Sequence, residues 1–82
     1  MNITVKLIGG AKAPAGLVLD RDGGTSVVMP EGASVTDVME RLRLPDSLVT
    51  MVDSRPVPRT DRAARSLVDG DEVTIFPPLK GG

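Results

Sequence analysis

The strongest constraint on the fold is a single capped helix in a chain whose other periodic runs repeat every two residues. Ser34 stands where an N-cap belongs, Asp37 follows three residues later, and Val35, Val38, Met39 and Leu42 fall at i, i+3, i+4 and i+7. This spacing predicts a helix over residues 35–43 that is apolar on one face. Asp37 near its start and Arg41 and Arg43 near its end suit the helix dipole, and Pro45 closes it before Asp46. One amphipathic helix cannot bury its own apolar stripe, so strands must supply the covering surface.

The strands are read from alternation. Ile3, Val5 and Leu7 alternate with Thr4, Lys6 and Ile8, which predicts a strand over 3–8 with Ile3, Val5 and Leu7 inward. Residues 9–16 are rich in Gly and Ala and read as a loop, and 17–19 as a short strand. Asp22-Gly23-Gly24 is turn chemistry, and Thr25 to Met29 reads as a second strand, closing a hairpin with the first and stopped by Pro30-Glu31-Gly32. After the helix, residues 48–52 form a strand and Asp53-Ser54-Arg55-Pro56 a turn. Val57 is then an exposed edge strand between Pro56 and Pro58, where missing amide donors do least harm. Residues 60–67 allow a brief helical turn with Leu67 anchored inward; Asp69-Gly70-Asp71 is a turn, and Glu72 to Phe76 is the last strand. Met29, Met39 and Met51 read as core filler. The predicted class is α+β, a mixed four- to five-stranded sheet grasping one main helix, with a domain over 1–76 and an extended tail over 77–82. A helical crossover favours a last strand beside the first and parallel to it.

Composition removes whole classes of function. Eighty-two residues make one domain with one modest core, too small for a cleft between two lobes. A net charge of −1 and the absence of Trp and Tyr argue against a nucleic-acid partner. With no Cys and no His, the chain has no thiolate or imidazole metal ligand, no such nucleophile and not the commonest general base. The apolar residues before Leu19 are interrupted by Lys6, Gly9-Gly10, Lys12 and Pro14, so no signal peptide is expected. No run of eighteen apolar residues occurs, which argues against a membrane span and makes the cytoplasm the expected location.

The end of the chain is where chemistry is expected. Pro77-Pro78 cannot continue a sheet ladder and should lift the following residues off the body. Gly81 and Gly82 lack side chains, so they can thread a narrow channel in a partner and leave a terminal carboxylate open to attack. A frayed tail is the plainer reading, and glycine doublets also occur at Gly9-Gly10 and Gly23-Gly24.

Asp69-Gly70-Asp71-Glu72-Val73, the strand ending at Phe76, Pro77-Pro78 and the terminal Gly81-Gly82 together resemble the small ubiquitin-like sulfur carriers, the family of molybdopterin-synthase small subunits and thiamine-biosynthesis carriers. Pro30-Glu31-Gly32 and Val52-Asp53 add to the likeness. The resemblance implies a β-grasp fold in which the Gly82 carboxylate is adenylated by an ATP-dependent activating enzyme. It further implies that Gly82 receives sulfur from a sulfurtransferase or other donor, becoming a thiocarboxylate, and passes it to an acceptor such as a molybdopterin-synthase large subunit. On this reading Leu79, Lys80 and Gly81 thread the partner's channel. The chain is then a co-substrate with no bound cofactor or metal, and ATP is used by the activating enzyme. Asp53 stands where many members have Asn, and Lys80 where the synthase subunits carry small or polar residues, whereas Pro77-Pro78 favours the synthase branch over the thiamine branch.

Alternation also suggests a docking surface. If Val73 and Ile75 face the helix, Thr74 and Phe76 point away, with Lys6 and Ile8 beside them. Phe76, the only aromatic residue, then joins Ile8, Pro77 and Pro78 in an apolar patch at the root of the tail; alternatively it folds under the diproline and closes the core. Lys80 either contacts acidic residues or ATP phosphates in the activating enzyme or is a solvated charge. Arg55, Arg59, Arg62 and Arg65, interspersed with Asp53, Asp61 and Asp69, read as a solvated mixed face. Three functional readings stand at this point. The first is a sulfur carrier for molybdopterin, with thiamine, cysteine or tRNA thiolation as other destinations. The second is a ubiquitin-like modifier conjugated through Gly82, which Leu79-Lys80-Gly81-Gly82 also suits, and the third is a binding domain with an inert tail.

Overall fold

The computed structural model describes residues 1–8, 21 and 23–78. The expected loop over 9–16, the strand over 17–19, the turn residue Asp22 and the tail residues 79–82 lie outside them. Among the described residues five strands, β1 (Asn2–Leu7), β2 (Gly24–Val28), β3 (Val49–Val52), β4 (Arg55–Val57) and β5 (Glu72–Phe76), form one sheet around the helix α1 (Val35–Arg41). Their order is β2-β1-β5-β3-β4. β1 and β5 run parallel, with Val5 opposite Val73 and Leu7 opposite Ile75, and the other neighbouring pairs are antiparallel. The mixed sheet and the parallel first-and-last pair are therefore as the alternation and crossover predict.

The inward face of the sheet and the apolar stripe of the helix close one core. Ile3, Val5, Val35, Val38, Val52, Val73 and Ile75 are fully buried, joined by Leu7, Val27, Met29, Met39, Leu42 and Leu67. Each such side chain contributes about 1.5–3 kcal/mol on burial, so this cluster outweighs any surface pairing in holding the sheet to the helix. In the hairpin between β1 and β2, Gly23 has φ +79, and a Cβ there would lie 2.5 Å from the Leu7 carbonyl oxygen. Only glycine fits that approach.

The helix begins as predicted. The Ser34 hydroxyl accepts from Asp37 N–H at 3.2 Å, and the Asp37 carboxylate accepts from Ser34 N–H at 2.8 Å, a reciprocal capping box. It ends earlier than Pro45 suggests. Leu42 is the C-cap, and Arg43 takes a left-handed conformation with φ 55. Arg43 N–H donates to Glu40 O at 3.1 Å and Leu44 N–H to Met39 O at 2.9 Å. Those two bonds make a Schellman turn, so the backbone terminates the helix before the proline is reached.

Three further expectations are corrected. Asp53 and Ser54 alone, at φ 49 and 68, make the turn between β3 and β4, so Arg55 and Pro56 belong to the strand. Val57 is on the edge strand, but its side chain is 8% exposed because it lies opposite Thr50 on the inward face. Met51 is half-buried on the outer face, whereas Met29 and Met39 are in the core. The 60–67 segment contains a 3-10 turn over Arg59–Asp61, and Leu67 is buried as expected, at 2% exposed.

Candidate functional site

The Asp69-Gly70-Asp71 turn sets the start of β5. Asp71 accepts Val68 N–H through its carboxylate at 2.9 Å, and its carbonyl accepts Thr4 N–H at 3.0 Å. Gly70 N–H donates to Asn2 O at 2.9 Å, while Asp69 Oδ1 accepts Asn2 N–H. These bonds tie the entry of β5 to β1. On the other side, Asp53 N–H donates to Glu72 O at 2.9 Å and Asp53 Oδ1 accepts Glu72 N–H at 3.1 Å. An Asn would offer the same Oδ1 acceptor, so the aspartate preserves this bond.

With its start anchored, β5 runs through the sheet between β1 and β3 and delivers its last residue to the rim. Phe76 lies opposite Val49 of β3, and Ile8 N–H donates to Ile75 O at 3.0 Å. Val73 and Ile75 are fully buried, whereas Phe76 and Pro77 are half-buried and Pro78 is exposed. Phe76 is thus on the outer face beside Ile8, itself 43% exposed, and does not belong to the core cluster. Val49 and Met51, both half-buried, share that outer face, with Pro56 opposite Met51. An apolar surface therefore surrounds the point where the chain leaves the sheet. Toward the other end of β5 the same face turns polar, with Lys6 and Glu72 paired at 3.6 Å. That pair is exposed and adds little to stability.

The sequence-predicted residues Ile8, Phe76, Pro77 and Pro78 are brought together; Leu79, Lys80, Gly81 and Gly82 lie outside the described residues. Among the described residues no group of acidic side chains could hold a metal ion. No helix is long and apolar enough to cross a membrane among them either. Val49 and Met51 were absent from the predicted patch, because Leu48 to Val52 is apolar on both alternating faces apart from Thr50. Arg62 departs furthest from expectation. It is 6% exposed rather than part of a solvated rim, whereas Arg59 is exposed and pairs with Asp46 at 2.5 Å. Nothing in the spacing separates Arg62 from Arg59 and Arg65; only the packed structure does.

Residues 17–82 match a family model described as the ThiS family. The thiamine biosynthesis protein ThiS of Geobacter metallireducens is similar in structure, with TM-score 0.69 and 20% identity over 100% of both chains. SAMP1 of Haloferax volcanii gives TM-score 0.68 and 18% identity, again over 100% of both chains. A chain from the complex of subunits 1 and 2 of the molybdopterin-converting factor of Helicobacter pylori 26695 gives TM-score 0.66 and 13% identity over 100% of each. At these identities the structural likenesses show the fold, which is the β-grasp. No curated protein matches the sequence.

Proposed function

The chain belongs to the ThiS family of ubiquitin-like sulfur carriers, and from that membership we propose that its Gly82 carboxylate is the group that carries sulfur. The observation that supports this best is the course of β5. Its two ends are bonded into the body, its last residue reaches an apolar outer rim, and the chain continues through Pro77-Pro78 toward Gly81-Gly82.

A carboxylate is a poor electrophile. In the proposed reaction a Gly82 oxygen attacks the α-phosphorus of ATP in a partner enzyme, pyrophosphate leaves, and an acyl-adenylate results. Hydrosulfide released by a sulfur donor then attacks the Gly82 carbonyl carbon and AMP departs, leaving the thiocarboxylate; where a sulfurtransferase persulfide attacks instead, the acyl disulfide formed is cleaved by a thiol reductant, which is oxidised as the thiocarboxylate is freed. Both steps occur on the backbone terminus, so a chain without Cys or His can take part in them. The body contributes recognition: Phe76, Ile8, Pro77 and Pro78 dock the partner while Leu79, Lys80 and Gly81 enter its channel. The proposed acceptor is a molybdopterin-synthase large subunit, in keeping with the diproline and the outward Phe76. Thiamine formation is the rival destination, and the family name itself gives it weight.

A second reading has its own support. The likeness to SAMP1, the small archaeal modifier protein 1 of H. volcanii, favours conjugation of Gly82 to target proteins. Intact-mass measurement on protein purified from its own cells separates the two. A carrier shows one oxygen of the terminal carboxylate exchanged for sulfur; a modifier shows a ladder of conjugates. Unaltered mass, together with full activity after deletion of Gly81-Gly82, would overturn both readings in favour of an inert tail.

A further inference from the structure

The buried Arg62 holds one short stretch of chain at three alternate residues, two through their carbonyls and one through its side chain. Its Nη1 donates to Asp46 O at 2.8 Å, its Nη2 to Leu48 O, and its Nε to Thr50 Oγ1 at 3.1 Å. Thr50, fully buried, passes the connection across the sheet by donating its hydroxyl to Val57 O at 3.2 Å. A planar guanidinium fork can reach three acceptors in fixed directions, which the single ammonium of a lysine cannot do in the same way. Burial, with Arg59 nearby, lowers the Arg62 pKa, while Asp46 opposes the shift. The group nevertheless stays charged at neutral pH.

The stretch that Arg62 holds leads into and through β3, and β3 flanks the end of β5. Thr50 lies opposite Ile75 and Val49 opposite Phe76, whereas the register with β1 ends at Leu7 opposite Ile75. Phe76 is therefore placed in the ladder by Val49, and Val49 sits between two residues that Arg62 grips. Resting on the carrier reading, we propose that Arg62 is a positioning residue for the root of the tail. By fixing residues 46–50 it sets the place of Phe76 and the direction in which Pro77-Pro78 leaves the body, and so where the activating enzyme meets the root of the tail.

Arg62→Gln, Thr50→Val and Thr50→Ser test this at a temperature where circular dichroism shows each variant folded. Two readouts are taken: the nuclear Overhauser contact between Val49 and Phe76, and ATP–pyrophosphate exchange by an ATP-dependent carrier-activating enzyme with the carrier varied. Arg62→Gln and Thr50→Val should weaken the Val49–Phe76 contact while the Ile3–Val27 contact between β1 and β2 persists. If about a tenth of the molecules then hold the root correctly, KM for the carrier rises roughly tenfold. kcat stays within about twofold, since the reacting terminus is unchanged. Thr50→Ser keeps the hydroxyl and should restore both readouts.

A merely structural Arg62 would lower the melting temperature and leave KM unmoved in the folded variants. That result, or a Val49–Phe76 contact that survives in folded Arg62→Gln, or equal behaviour of Thr50→Val and Thr50→Ser, overturns the inference. Should Arg62→Gln fail to fold, the Thr50 pair decides. Absence of exchange with the unmodified protein counts against the carrier reading instead, and the Val49–Phe76 contact then decides the positioning by itself.

Discussion

Arg43 sits at φ 55, immediately after the helix cap, where a side chain meets steric resistance that glycine avoids. Its two neighbouring hydrogen bonds close the helix, so the conformation is held in spite of that cost. Replacing it by glycine relieves the resistance but gives back part of the gain through a more flexible unfolded chain. Arg43→Gly should therefore stabilise the protein by about 0.5–1 kcal/mol, a rise in melting temperature of about 2–8 °C. A lower melting temperature would mean that the arginine side chain contributes more than its backbone costs. Phe76 presents the opposite balance, because it is half-buried on the outer face and the core does not depend on it. Phe76→Glu should leave the melting temperature nearly unchanged and weaken binding to the partner enzyme by about 2 kcal/mol, roughly thirtyfold, as expected for an aromatic anchor. Isothermal titration against that enzyme is the check, and undiminished affinity would remove Phe76 from the docking surface.

At the level of elements, the start of α1 does two jobs. The capping box satisfies its first amides, and the residues around Ser34 also pin the segment that leads to β5. Val35 N–H donates to Arg65 O at 3.1 Å and Leu67 N–H to Ala33 O at 2.8 Å. Ser34→Ala should cost about 1 kcal/mol. A double-mutant cycle with Asp37→Ala should show coupling above about 0.5 kcal/mol, since the two side chains satisfy each other's amides. Additive losses in chemical denaturation would show that the box is not a unit. This helix start was legible in the sequence because Ser34, Asp37 and the apolar spacing all point to it. β1 was legible for a similar reason: Ile3, Val5 and Leu7 differ sharply from Asn2, Thr4 and Lys6. The helix end was not, because a left-handed arginine leaves no mark in composition. β3 was ambiguous because Thr50, the polar residue, is the buried one. Its hydroxyl is satisfied by Arg62 and Val57, a pairing that only tertiary packing creates, and Met51 is turned outward as a result.

For the molecule as a whole, the division of labour follows from where the final strand lies. β5 occupies the middle of the sheet, so its exit is braced on both sides, by Ile8 of the first strand's continuation and by Val49 of β3. A braced exit suits the proposed role as another enzyme's substrate, because the partner meets a fixed surface at lower entropic cost. The proposed adenylation makes a strict requirement of the terminus: Gly81-Gly82 enter a channel too narrow for a Cβ, and the carboxylate arrives at the ATP phosphorus within bonding reach. One alanine added after Gly82 both places a methyl group in that channel and moves the carboxylate by about 3.5 Å, one residue of extended chain. The extended protein should melt at the same temperature as the original, since the core cluster is drawn from residues between Ile3 and Ile75. It should yield no thiocarboxylate when incubated with the activating enzyme, ATP and a sulfur donor, as read by intact mass. Sulfur incorporation on the extended chain, without prior trimming of the added residue, would show that the reacting carboxylate is not held by the fit of these two glycines.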